Sequence, residues 1–304
     1  MGPTPTGAGE AKEVAASRLC LRIADLTIAL TSRDPDLRMA APGAIASFVA
    51  RSERPDVSIE VGRGEPPFAA LGEEVFDSGG VWRLRRGPEF FQFLFSSPVL
   101  GSTPYKVARF DEDFAHGEVI LRRDLAADGV SVYPLEYPLD ELLVTHLLAQ
   151  GRGVEMHGCG LVTPEGRGLL FLGHSGSGKT TTARLWTPRD GVKILSDDRI
   201  ILRREGGRFW MHGTPWHGEG RMASPGRAPL DRILFLARGG RNELIPIRAA
   251  ESVARLFACG FQPFHDPDGL AFSLEFYEEV ADAVPCHEFP FLPDSSASDF
   301  VEAN

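Results

Sequence analysis

The chain has few cysteines, a deficit of basic charge and no long apolar run, and each shortage removes a class of protein. Its four cysteines, Cys20, Cys159, Cys259 and Cys286, lie far apart and show no C-x-x-C spacing. That pattern fits buried thiols in a reducing compartment and argues against a disulfide framework or a zinc site. Against 42 Asp and Glu stand 32 Lys and Arg, a formal net charge of −10. Such a balance lacks the basic footprint by which a domain holds nucleic acid, so no nucleic-acid partner is expected. No apolar run reaches the ~18 residues of a membrane span, so no membrane partner is expected either. Met1 to Ala16 lacks the apolar core of a signal peptide and reads as a disordered tail. The chain therefore reads as cytoplasmic. Internal repeats are absent as well, and 43% hydrophobic residues suffice for packed cores.

At 304 residues the length suits roughly two domains. Residues 17–130 read as a β-rich N-terminal domain. Leu19 to Leu30 alternates as a strand pair would, and Val57 to Val61 alternates cleanly. Val81 to Leu84, Phe90 to Phe95, Val107 to Phe110 and Gly117 to Arg122 add further strands, and a short helix is expected over Pro42 to Ala50. Phe90, Phe91, Phe93 and Phe95 are expected to pack a core. A boundary falls near Asp128 to Pro138. A helix over Leu139 to Leu148 then leads into a domain of residues 135–300, with Asp140 and Glu141 at its positive end and His146 in a packing role.

The second domain carries the chemistry. Gly173, His174, Ser175, Gly176, Ser177, Gly178, Lys179 and Thr180 fit G-x-x-x-x-G-K-[ST], the phosphate-binding P-loop. Gly168 to Leu172 reads as a buried strand before it, and Thr180 to Trp186 as a helix after it. Glycines let backbone N–H groups close around phosphate oxygens, and the helix N-terminus adds its dipole. Lys179 would reach the phosphates of ATP, the Thr180 hydroxyl would ligate Mg²⁺, and Thr181 completes the nucleotide-binding set.

Val192 to Ser196 is an apolar strand ending in Asp197 and Asp198, a Walker B arrangement that places carboxylates near Mg²⁺. Neighbouring carboxylates on extended backbone point to opposite sides, so a division of labour between metal ligand and base is natural. The bland alternative is a solvated Asp-Asp turn. These acids follow Lys179 by only 18 and 19 residues, closer than in most P-loop families. Val154 to Val162 reads as a strand or strand pair upstream. Downstream, His212 and His217 bracket Pro215-Trp216; they suit a pocket-shaping loop or, less simply, a metal site. Arg221 and Arg227 are either surface residues or charge stabilisers. Leu230 to Leu236 reads as a strand and Ala249 to Phe257 as a helix. The fold class is α/β, α+β overall.

The order His157-Gly158, P-loop, Asp197-Asp198 resembles the catalytic domain of the HPr kinase/phosphorylase family, whose core is similar to phosphoenolpyruvate carboxykinase. The resemblance covers roughly Leu135 to Asp294, and the Thr-Pro-Trp-His-Gly-Glu run at Thr214 to Glu219 looks like a diverged branch found beside peptide and small-molecule biosynthesis genes. It implies Asp198 as proton acceptor from a serine hydroxyl, Asp197 beside it near Mg²⁺, and His157 near the γ-phosphate. It implies Thr180 and Glu219 as metal ligands, and homo-oligomers. The family's glycine-rich signature after the acidic strand is absent, and the first half has no counterpart. The reading is an ATP- and Mg²⁺-dependent serine kinase whose acceptor is a hydroxyl on a peptide, protein or small molecule. The alternatives are a nucleotide-binding regulatory module and a carboxykinase-like enzyme.

Overall fold

The computed structural model describes residues 17–304; the expected tail, residues 1–16, lies outside the described residues. Apolar and polar alternation builds the first half. β1 (Ser17–Ile23) and β2 (Leu26–Ser32) form a hairpin. Its two turn residues, Ala24 and Asp25, both adopt positive φ (49° and 61°), which matches the twist of a two-residue turn. β4 (Val57–Gly64) buries Val57, Ile59 and Val61 and exposes Ser58 and Glu60. β5 (Glu73–Asp77), β6 (Trp82–Arg86), β7 (Phe90–Ser97), β8 (Gly101–Asp111) and β9 (His116–Arg122) complete an eight-stranded sheet, in the order β1-β2-β4-β9-β8-β7-β6-β5. A two-residue ladder joins β3 (Arg38–Met39) to β10 (Ser131–Val132). The expected helix after Pro42 is a 3₁₀ turn over Gly43–Phe48, which buries Ile45 and Phe48.

The helix α1 (Leu139–Ala149) forms where its spacing predicts, with Pro138 at the N-cap position. It also packs with the first half. Leu139, Leu143, Val144 and Leu147 join one core with the first sheet, beside Phe93, Phe95 and Phe110. The helix bridges the two halves: its apolar side chains enter the core of the first sheet, and its backbone lies against β11 and α4. His146 is buried in that core, edge-on to Phe93 at 5.5 Å.

β11 (Val154–Val162), expected as a strand or strand pair, is one strand with partners along both edges. On one edge it pairs antiparallel with β13 (Lys193–Ser196) and then β14 (Arg199–Glu205). On the other it pairs with β12 (Gly168–Leu172) and with the two-residue β18 (Gly260–Phe261). β14 turns through Gly206-Gly207 into β15 (Arg208–Gly213), which pairs with β16 (Arg227–Arg238). β16 in turn runs parallel to β12. The pairing thus closes on itself, and β19 (Cys286–Phe291) and β17 (Ile245–Pro246) extend it past β16.

Two cores flank this sheet. Along β12, Leu170 and Leu172 face one and Leu169 and Phe171 face the other, which is why the segment is apolar throughout. Each such side chain contributes about 1.5–3 kcal/mol by burial. α3 (Ala249–Cys259) and α4 (Pro267–Ala283) cover the first face. α2 (Lys179–Trp186) and α5 (Ser295–Ala303) cover the second. The hairpin β14–β15 and the 17-residue α4 were not anticipated, although α4 carries a start signal: Asp266 accepts from the Asp268 N–H, with Pro267 opening the helix. Among the described residues, no helix is long and apolar enough to cross a membrane.

Burial pushes His146 and His212 each down to about 4, so the folded chain refuses protons that the unfolded chain accepts near 6.5. The contribution of these residues to stability is therefore lost as pH falls through the window from 6.5 toward 4, and is complete above it. Urea midpoints across that window should drop, and His146→Phe should flatten part of the slope. An unchanged slope in His146→Phe would contradict the assignment.

Candidate active site

The register of β11 assembles the site. Gly158 stands opposite Leu172, the last residue of β12 before the glycine-rich loop. On the other edge the Gly158 N–H donates to the Asp198 carbonyl at 3.0 Å. His157 stands opposite Arg199. A side chain at position 158 would run into Leu170 and Leu172, so glycine lets the three strands close. His157, the loop and the acid pair are brought to one point by strand pairing alone.

The loop takes the geometry its glycines allow. Gly176 and Gly178 have φ of 79° and 108°, and Gly178 is the left-handed N-cap of α2. A cavity of 440 Å³ opens above it, lined on the loop side by Ser175, Gly176, Gly178, Lys179, Thr180 and Thr181. His157, Asp198, Gly218 and Glu219 form the opposite wall. Gly173 and His174 do not line the cavity. Their carbonyls accept from Lys179 Nζ at 2.7 and 3.1 Å. Ser177 packs under the loop, its hydroxyl buried without a partner. Burial pulls the Lys179 amine below its ordinary pKa, and Asp198 draws it back part of the way.

Asp197 and Asp198 part company. Asp197 is 1% exposed, and its two oxygens accept N–H groups from Gly218 (3.0 Å), Gly220 (2.8 Å) and Met222 (3.3 Å). A Cβ at position 220 would collide with that carboxylate. Asp197 thus anchors the segment carrying Glu219 and does not open to the cavity, which departs from its expected place as a metal ligand. Asp198 faces the cavity. The turn between β13 and β14 is fixed by Ser196, whose Oγ accepts from the N–H groups of Asp198 and Arg199 and donates to the Trp216 carbonyl. Thr180, Asp198 and Glu219 give the cavity hard oxygen donors, which suit Mg²⁺ held with phosphate and water.

Arg199 was missed in the sequence and organises the rest. Its guanidinium pairs with Asp198, donates to Glu141 at 2.7 Å and lies 3.6 Å from Glu155. One of its nitrogens is 3.2 Å from His157 Nδ1, and its plane lies 4.3 Å from the centre of the Phe261 ring. Burial opposes its charge, but Glu141, Asp198 and Glu155 hold its pKa above the usual value. Glu141, expected at the positive end of the helix, is buried in this ion pair. Burial, with Glu141 alongside, pushes the fully buried Glu155 well above the ordinary carboxyl range. Burial and then Lys179 push His157 down to about 4, so it is a neutral imidazole 3.7 Å from Asp198.

The remaining candidates lie elsewhere. His217 is exposed and contacts its neighbour's carbonyl, whereas His212 is buried near Asp25 (3.8 Å) and Glu205 (4.0 Å). The two histidines form no metal pair, because β15 points His212 away from the 214–219 segment. Arg227 bridges Asp25 and Glu205 and stacks on Trp210, so the cation between those acids is already supplied. Arg221 is exposed in a turn and does not line the cavity.

No protein-family model matches the chain, and no curated protein matches it. Among solved structures, the Hpr(Ser) kinase/phosphatase from Coxiella burnetii is similar at 14% identity, over 49% of this chain and 86% of that chain, with a TM-score of 0.29. The site's chemistry rests on its own geometry.

Arg199→Leu should cost about 3–5 kcal/mol, because it strands buried acids without their cation. Glu155→Gln should cost far less. The raised Glu155 pKa means that its contribution is lost as pH rises above the ordinary 4.5, and Glu155→Gln should remove that loss. Urea unfolding of both variants decides this; equal destabilisation would refute the neutral form of Glu155.

Proposed function

We propose that this chain is an ATP- and Mg²⁺-dependent kinase that transfers the γ-phosphoryl group to a hydroxyl, of serine type, on a peptide, protein or small molecule. The observation that supports it most is one cavity in which a left-handed glycine loop with Lys179 and Thr180 faces an acid, Asp198. Loop N–H groups and the α2 N-terminus would hold the phosphates. Lys179 would turn from the carbonyls of Gly173 and His174 to the phosphate oxygens. Mg²⁺ bound through Thr180, Asp198 or Glu219 would neutralise charge on the phosphates.

Phosphoryl transfer asks mainly for position and charge neutralisation. The acceptor oxygen bonds to the γ-phosphorus as the bond to the bridging oxygen breaks, ADP leaves, and the hydroxyl proton passes to Asp198. His157, neutral at pH 6.5 and above, adds hydrogen bonding beside that carboxylate without adding charge. Asp197 positions Glu219 through the loop it anchors. The same reading carries a cytoplasmic site of action, no nucleic-acid or membrane partner, and assembly into homo-oligomers.

A mass-spectrometric assay with ATP, Mg²⁺ and seryl peptides should show one phosphate gained on serine, abolished by EDTA and by Lys179→Ala. Asp198→Asn should retain nucleotide and lose about 10²–10⁴-fold in rate. Nucleotide binding without acceptor-dependent ADP release would favour a regulatory module, and full activity in Asp198→Asn would remove it as the base.

A further inference from the structure

Among the described residues, none before β11 lines the catalytic cavity, yet the first half helps to build a second cavity beside it. This one has a volume of 260 Å³. One wall is Phe76 stacked on Trp82, ring centres 4.9 Å apart, from β5 and β6. The facing wall is Phe261 to Phe264, and α1 closes the floor. Two rim side chains, Tyr137 and Phe264, are 60% and 65% exposed, unusual for aromatic residues that pack no core.

Several polar side chains of this cavity already have partners. Glu141 and Arg199 pair with each other. The Nε2 atoms of His146 and His265 lie 2.9 Å apart, sharing one hydrogen bond. Gln262 donates to the Phe257 carbonyl and to the Tyr277 hydroxyl. What is left on offer is mainly aromatic and apolar surface, with the Tyr137 hydroxyl at its edge. The volume lies below the roughly 300–1,000 Å³ of sites that take a whole small molecule, so it suits one planar group rather than a complete ligand. The Arg199 guanidinium and the Phe261 ring line it and adjoin residues of the catalytic cavity. That ring is 6.2 Å from His157, and the guanidinium is bonded to Asp198.

We propose that this cavity is an acceptor subsite: it seats an uncharged aromatic side chain of the acceptor while the neighbouring hydroxyl faces Asp198. The acceptor role rests on the kinase reading above; the aromatic preference rests on the cavity alone.

Binding and transfer are measured separately to keep the two apart. The probes are the capped dipeptides acetyl-Phe-Ser-amide and acetyl-Ser-Phe-amide, beside their Ala and Lys counterparts. Binding without nucleotide is followed by tryptophan fluorescence, with Trp82→Phe removing the reporting residue. The phenylalanine probes should saturate the signal and bind about tenfold or more tightly than the alanine ones. Phe264→Ala, at an exposed position and checked for folding by its thermal melt, should weaken that binding and raise KM for transfer more than it lowers kcat. Equal binding and transfer for Phe and Ala probes, unmoved by Phe264→Ala, overturns the subsite and leaves the kinase standing. A preference for the lysine probe overturns it too. Aromatic binding with no transfer to any probe overturns the acceptor role together with the kinase reading, and leaves only an aromatic-binding cavity.

Discussion

One guanidinium ties the two halves of the molecule to one another and to the candidate site. Arg199 meets Glu141 from α1, Glu155 from β11 and Asp198 from the turn that precedes it. Taking several charged groups out of water is costly unless each finds a partner of opposite sign. Burial, with Glu141 alongside, favours the protonated form of Glu155, which eases the demand on the single cation that three acids face. α1 packs with the first sheet, while Asp198 and β11 belong to the second. The position of the carboxylate in the catalytic cavity therefore depends on a helix that has no atom lining that cavity.

What could be read in the sequence was whatever local backbone geometry dictates. The P-loop needs glycine at positive φ, and Gly176 and Gly178 advertise that directly. Most strands of the first half announce themselves by alternation, but the exposed edge strand β5 does not. Arg199 and Glu155 could not be found in this way, because they meet through the register of β11 on β14, and register is a long-range property. The same holds for α1, whose apolar stripe showed that it packs but not against what. For α4 and the β14–β15 hairpin the signals were present, in Asp266-Pro267 and Gly206-Gly207, but weak beside the chemistry-bearing motifs around them.

The acid pair shows where sequence reasoning stops. Extended backbone would turn adjacent carboxylates to opposite sides, but Asp197 and Asp198 sit in the bend between β13 and β14. Which of the two reaches the cavity was decided by the segment from Gly218 to Met222, whose N–H groups claim Asp197. A carboxylate answered by three backbone donors works as a clamp. It holds Glu219 opposite the loop, though nothing in the spacing of residues 197 and 219 connects them.

The closed pairing of β11, β12, β14, β15 and β16 also bears on how such a protein can change over generations. Lys179, Asp198 and His157 are set by paired strands buried on both faces, where nearly every substitution disturbs a core. The second cavity shares Arg199 with that ring, but its aromatic walls come from outside it: the β5–β6 edge of the first sheet and the turn after β18. Variation in those aromatic walls, away from Arg199 and Glu141, can accumulate without reaching the strands that hold the acid and the lysine. The architecture separates a part that resists mutation from a part that tolerates it, so a lineage built on this chain could acquire new ligands while keeping one chemistry.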